Sequence, residues 1–167
     1  MNDKSIANIH SEYIQFCEQF KTVIISSVNE DGSPHTSYAP FVRDSEGNFY
    51  IFISGLAKHT ENIVNDKRIS LLLIQNEEET AQPFARKRLT FKCTSKVIKR
   101  EEPLWENVLS TFTQRFGRFI ETLISLPDFT LIKIQLISGI YVKGFGEAYS
   151  IKGIALDQIE RLRSSTG

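Results

Sequence analysis

The stretch Thr22–Val42, TVIISSVNEDGSPHTSYAPFV, decides the fold. Thr22–Val28 reads as a strand, rich in β-branched side chains. Asn29-Glu30-Asp31-Gly32-Ser33-Pro34 is turn chemistry with Asp-Gly at its centre. From His35 to Val42 the extended pattern resumes. Pro40 has no N–H to give to a ladder, so it marks an edge, a bulge or a bend.

Working outward, Ile6, Ile9, Tyr13, Ile14, Phe16 and Phe20 recur at helical spacing, which predicts an amphipathic helix over Ile6–Phe20. Beyond the hairpin, Arg43–Gly47 is a turn, and Asn48–Ile53 is a strand apolar on both faces and so buried on both. Leu56–Asp66 reads as a short helix and Ile69–Ile74 as another buried strand. The acidic loop Gln75–Pro83 is a solvated surface. Leu89–Ile98 alternates, with Leu89, Phe91, Cys93, Ser95 and Val97 on one side and Thr90, Lys92, Thr94, Lys96 and Ile98 on the other. Glu101-Glu102-Pro103 starts a helix. An apolar stripe from Leu104 to Leu123 follows, which Gly117 kinks or divides. Phe129–Ile137 is a strand, Ser138-Gly139 a turn, Ile140–Ile151 one or two further strands, and Ala155–Arg163 a last helix. Strands in this order, without regular βαβ alternation, predict an α+β split β-barrel of six to seven antiparallel strands with peripheral helices. The open edges of so small a sheet are commonly covered by a second copy, which points to a homodimer.

The 167 residues suit one domain, 1–167, and 41% of them are apolar. Lys plus Arg equals Asp plus Glu at 20 each, so net charge gives no reason to expect a nucleic-acid or membrane partner. No window approaches the ~20 apolar residues of a membrane span, and Met1–Ile9 lacks an apolar signal core. Cys17 and Cys93 have no metal-type spacing and read as two buried free thiols in a reducing cytoplasm.

No nucleophilic triad or glycine-rich phosphate loop is visible. Gly144-Phe145-Gly146 lacks the third glycine and the following helix of a dinucleotide site. In Ser54-Gly55-Leu56-Ala57-Lys58-His59-Thr60 a buried strand ends, a glycine opens the backbone and a helix begins. Its first amides and Lys58 suit a phosphate or propionate, and a capped helix beside a solvated lysine would give the same pattern. A lone histidine such as His59 is more often a packing residue than a ligand, and His35 and His10 have less to recommend them. Phe84-Ala85-Arg86-Lys87-Arg88-Leu89-Thr90-Phe91 sets bases at the mouth of a strand, suited to carboxylate or phosphate capture or to simple snorkelling. Asp128 is a turn residue or a semi-buried acid facing Thr22 or a ligand.

Thr22–Val42, with SYAPFV (Ser37–Val42), FARKRLTF (Phe84–Phe91), RFG (Arg115–Gly117), PDF (Pro127–Phe129) and YVKGFGEAY (Tyr141–Tyr149), resembles the pyridoxamine 5'-phosphate oxidase-like, or FMN-binding split barrel, superfamily. Within it the chain is similar to haem-utilisation proteins of the HugZ/HutZ type. The resemblance covers nearly the whole chain. It implies a dimeric split barrel that holds haem b near the subunit interface, as a haem-binding protein for iron acquisition or a haem oxygenase served by an electron-donor protein. It also implies roles by position. Thr22 and Asp128 resemble a hydrogen-bonded pair across the interface, His59 matches a histidine of the family, and Arg88 falls in its basic strand. Flavin enzymes of the superfamily hold FMN phosphate around Lys58 and the basic strand, so an FMN oxidoreductase is the alternative, and a non-catalytic ligand-binding dimer a third. The family's proximal haem ligand is a histidine close to the C-terminus. Asp157–Gly167 contains none, so another side chain would have to hold the iron: His59 is the candidate by location, with Cys17, Cys93, a tyrosine or water as the competing reading.

Overall fold

β1 (Thr22–Val28) and β2 (Pro34–Arg43) form the expected antiparallel pair, in register from Thr22↔Pro40 to Val28↔Pro34. The computed structural model describes residues 3–153 and 155–163. Gly32 closes the hairpin at φ +83°, a conformation that suits glycine, and Asp31 Oδ1 accepts the Ser33 amide at 2.9 Å. Pro40 sits where β2 changes partners. Up to Pro40 it pairs with β1, and from Phe41 it pairs with β3 (Phe49–Ser54), so the missing N–H falls at the bend.

β4 (Arg68–Ile74) and β5 (Arg88–Ile98) extend the sheet beyond β1, and β6 (Phe129–Gly144) follows β5. β6 then pairs with β3, from Phe49↔Ile134 to Ser54↔Phe129, and closes a six-stranded antiparallel barrel. Its far half carries β7 (Glu147–Lys152), which pairs with β8 (Gln158–Arg161). The barrel itself has six strands, as expected, and β7 and β8 bring the described chain to eight.

The extra strand replaces the helix predicted over Ala155–Arg163. Ile159 pairs with Ile151 and is buried, so the exposed edge of β7 overrides local helix propensity. Ser138-Gly139 is not a turn either. β6 runs through it with a bulge, and the glycine is there for close approach: a Cβ on Gly139 would stand 2.7 Å from the Phe91 ring and 3.0 Å from the Thr90 carbonyl.

The barrel interior is filled from Val23, Ile25, Phe41, Phe49, Ile51 and Phe91, among others. α1 (Asp3–Glu18) packs Ile9, Tyr13, Phe16 and Cys17 onto this core, and α2 (Lys58–Asn65) inserts Ile63. α3 (Pro103–Phe116) and α4 (Phe119–Ser125), divided at Gly117 (φ +83°), cover the outer side of β3 and β6. There Tyr50, Phe52, Ile98 and Leu131 meet Trp105 and Phe112. This second core explains why Asn48–Ile53 is apolar on both faces, and why Ile98 is buried while Val97 is not. Among the described residues no helix is long and apolar enough to cross a membrane.

Gly139→Ala should cost about 1–3 kcal/mol, because the fully buried Phe91 ring has nowhere to retreat. Urea unfolding measures it, and a midpoint equal to that of the unsubstituted protein would refute the close-approach role.

Candidate functional site

Asp128 is fixed at the entry to β6. Its backbone carbonyl accepts the Gly55 amide at 2.7 Å, and its Oδ2 accepts from Ser54 Oγ at 2.8 Å. Ser54 Oγ in turn accepts the Leu56 amide at 3.1 Å, and Thr60 Oγ1 donates to the Ser54 carbonyl at 2.6 Å. A Cβ at Gly55 would lie 3.0 Å from the Asp128 carbonyl, so a glycine lets the two segments meet. The acid therefore organises the β3–α2 corner of its own chain, and its partner is Ser54, which the sequence reading placed only at the end of a buried strand. The sequence signal was only that Ser54 ends a buried strand; its place opposite Phe129 in the ladder comes from the structure.

At this corner Leu56 is 92% exposed. Ala57 opens α2 without a side-chain cap; its carbonyl accepts the Thr60 amide at 2.9 Å, and the Lys58 and His59 amides are the ones left without a backbone acceptor. Lys58 Nζ pairs with Glu61 at 2.9 Å, an exposed contact of little stabilising value. His59 is half-buried with Nε2 turned into the protein, where it meets no hydrogen-bond partner. Burial, and then the neighbouring His35, hold its pKa below the ordinary 6.5.

Thr22 and Arg88 lie elsewhere. Ser95 Oγ donates to the Ile63 carbonyl of α2, and Arg88 is seven residues further along β5, roughly 23 Å at strand rise. Thr22 begins β1, whereas α2 touches that strand at its far end, through Asn62 Nδ2 to Ser27 Oγ (3.3 Å) and to Asn29 Oδ1 (2.7 Å) just beyond it. One chain thus brings Lys58, His59 and Asp128 together and sets Thr22 and Arg88 at the opposite end of the sheet. Arg88 Nη1 there donates to the Arg86 carbonyl at 3.0 Å.

Among the described residues no helix packs on the outward face between the two ends. One row of laddered neighbours crosses it: Tyr38, Ile24, Leu72, Thr90 and Ile140. Tyr38 is 68% and Ile140 46% exposed. Thr22 and Arg88 belong to the same face, two residues along their strands. Cys17 and Cys93 are free and buried, and burial pushes both thiols up to about 12.

The sequence profile of the pyridoxamine 5'-phosphate oxidase family matches residues 9–143. The chain belongs to this family. It is 39% identical over 145 residues to the haem oxygenase HutZ of Vibrio cholerae, which covers 87% of this chain and 82% of that protein. The solved structure of HutZ, described as a haem storage protein, superposes with a TM-score of 0.71 at 37% identity, over 75% of this chain and 88% of that one. Campylobacter jejuni ChuZ gives 0.80 at 33% identity, over 88% of this chain and 60% of that one. The split barrel expected from the sequence is the fold of the family.

The lowered pKa of His59 makes a signed prediction. The unfolded chain binds a proton at His59 more readily than the folded one, so the contribution is full above about pH 6.5 and is lost as pH falls through the folded value. Between about pH 7.5 and about pH 5.5 the urea midpoint of His59→Gln should fall less than that of the unsubstituted protein. Parallel curves would show that His59 is not held neutral by the fold.

Proposed function

We propose that the protein binds haem for haem-iron use, as a homodimer whose two copies together complete each site. The observation that carries this reading is the β3–α2 corner. There an exposed apolar side chain (Leu56), a cation (Lys58), uncapped helix amides and an imidazole (His59) stand together. Haem is a flat apolar body with two carboxylates and a metal that takes a nitrogen, sulfur or phenolate donor. These residues offer each of those contacts. The donors deeper in the chain do not fit: Cys17 and Cys93 are buried thiols, and burial pushes the hydroxyls of Tyr13 and Tyr141 up to about 12.

In this reading the α2 amides and Lys58 hold a propionate, Leu56 covers the ring, and His59 is the iron ligand or stands next to it. His59 Nε2 points inward, so the donor toward the ligand is Nδ1 unless the ring turns over. Bound haem supplies a redox-active iron, and its degradation would draw electrons from a donor protein. Identity of 39% to a haem oxygenase over most of both chains supports the haem assignment.

The dimer follows from the division of the site. Arg88 and Thr22 stand at the ends of β5 and β1 away from the positions that α2 touches. A two-fold contact over the uncovered face would set the Thr22–Arg88 end of one copy against the α2 corner of the other. Ser54 occupies only Oδ2 of Asp128, so Oδ1 is the oxygen to receive the hydroxyl of the partner's Thr22. Two buried free thiols suit a reducing cytoplasm. The family match itself favours FMN as the second reading, with its phosphate at the Lys58 corner.

Titration with hemin should give a Soret band that saturates at about one haem per subunit. Titration with FMN should leave flavin fluorescence unquenched. Tight FMN binding with no saturable Soret change would favour the flavin reading instead. In sedimentation the protein should run as a dimer at micromolar concentration. Tyr38→Glu should weaken self-association roughly 100-fold, equivalent to about 2.7 kcal/mol, by placing a charge in the contact. A dimer indifferent to that change would move the interface off this face.

A further inference from the structure

Three buried side-chain polar atoms among the described residues meet no hydrogen-bond partner: Ser37 Oγ, His59 Nε2 and Arg43 Nε. Arg43 lies with α1, where Nη1 pairs with Glu18 at 2.8 Å. The other two belong to one place. His59 and Asn62 are three residues apart in α2 and share a helix face. Asn62 Nδ2 bonds Ser27 Oγ on β1, and Ser27 is laddered to His35 on β2. His59, one turn earlier, therefore lies over β2, and His35 is near enough to act on its protonation. Ala39 and Phe41 face the barrel interior, so the alternation of β2 turns Ser37 and His35 inward as well. Ser37 is the next inward residue below His35, at the mouth that α2 covers.

Native proteins rarely leave two such atoms unpaired, and a closed polar pocket with several partners is where a buried water resides. We propose that Ser37 is a positioning residue for His59: one buried water joins Ser37 Oγ to His59 Nε2 and locks the imidazole in a single orientation and tautomer. Nε2 is then occupied from inside and Nδ1 is the nitrogen left for the open side. A groove of about 540 Å³, lined by Asn29, Glu30, Asp31, His35 and Lys58, lies beside this turn of α2. The inference rests on the haem-site reading only for the use to which a positioned His59 is put. The locking belongs to the ligand-free protein.

The test is ¹⁵N NMR of the histidine rings in ligand-free protein near neutral pH, comparing the unsubstituted chain with Ser37→Ala and Ser37→Thr. The unsubstituted His59 should show two well-separated ring nitrogens, the mark of one tautomer. Ser37→Ala, which removes a buried hydroxyl and keeps the β-carbon as a methyl, should draw the two shifts together as the tautomers average. Ser37→Thr keeps the hydroxyl and should keep them apart. Thermal unfolding confirms that each variant is folded. Unchanged His59 shifts in folded Ser37→Ala, or averaging in both variants alike, would overturn the proposal. Because no haem is present, a failure here leaves the hemin titration standing, and a failed hemin titration leaves this result standing.

Discussion

Closure of the barrel by β3 against β6 is the contact on which the rest of the structure depends. It sets Ser54 opposite Phe129 and so brings Gly55 within 2.7 Å of the Asp128 carbonyl. The β3–α2 corner, with its uncapped helix start, is a by-product of that junction. Closure also gives β3 two buried faces, one in the barrel and one beneath α3 and α4. β6 meets this demand by its length. Its first part completes the barrel, its last part carries β7, and β5 runs along nearly all of it. The bulge between these parts, with Gly139 pressed on Phe91, lets one strand serve both.

Helices distribute themselves around the barrel unequally, and the inequality has consequences. α1 and α2 pack onto the barrel core and α3 with α4 cover one outer face, while the face carrying Tyr38 and Ile140 stays open. Arg115, in the RFG stretch, ties the covered side to the start of β1: its guanidinium donates to the Phe20 carbonyl and lies over the Phe41 ring. The covered side is thus fastened internally at several points, and the open side presents the row Tyr38, Ile24, Leu72, Thr90 and Ile140, partly to largely exposed and flanked by Thr22 and Arg88.

Much of the fold was legible in the chain. Period-two alternation in Leu89–Ile98, the Asp-Gly turn and the both-faced apolar run at Phe49–Ile53 each follow from local chemistry. The errors share one cause. Ala155–Arg163 has helical spacing, but an unpaired strand edge was waiting for Ile159. Ser138-Gly139 has turn composition, but the glycine answers to a ring 47 residues earlier than Ser138 in the chain, at Phe91. In both places a partner distant in sequence outweighed the local preference.

For the site the division is similar. The sequence by itself determined which residue types were available: a histidine and a lysine at a helix start, bases on a strand, an acid after a proline, and no histidine in the last eleven residues, Asp157–Gly167. It also determined the family, because several short stretches recur in one order. Only the tertiary structure decided that Asp128 binds Ser54, that α2 meets β1 and β5 at the ends away from Thr22 and Arg88, and that Ser37 and His59 each bury an unpaired polar atom. The reason is physical. Residue type and spacing fix what a side chain can donate or accept and which face of an element it occupies. Which group it meets there depends on barrel closure and strand register, and these are settled by contacts between segments up to a hundred residues apart.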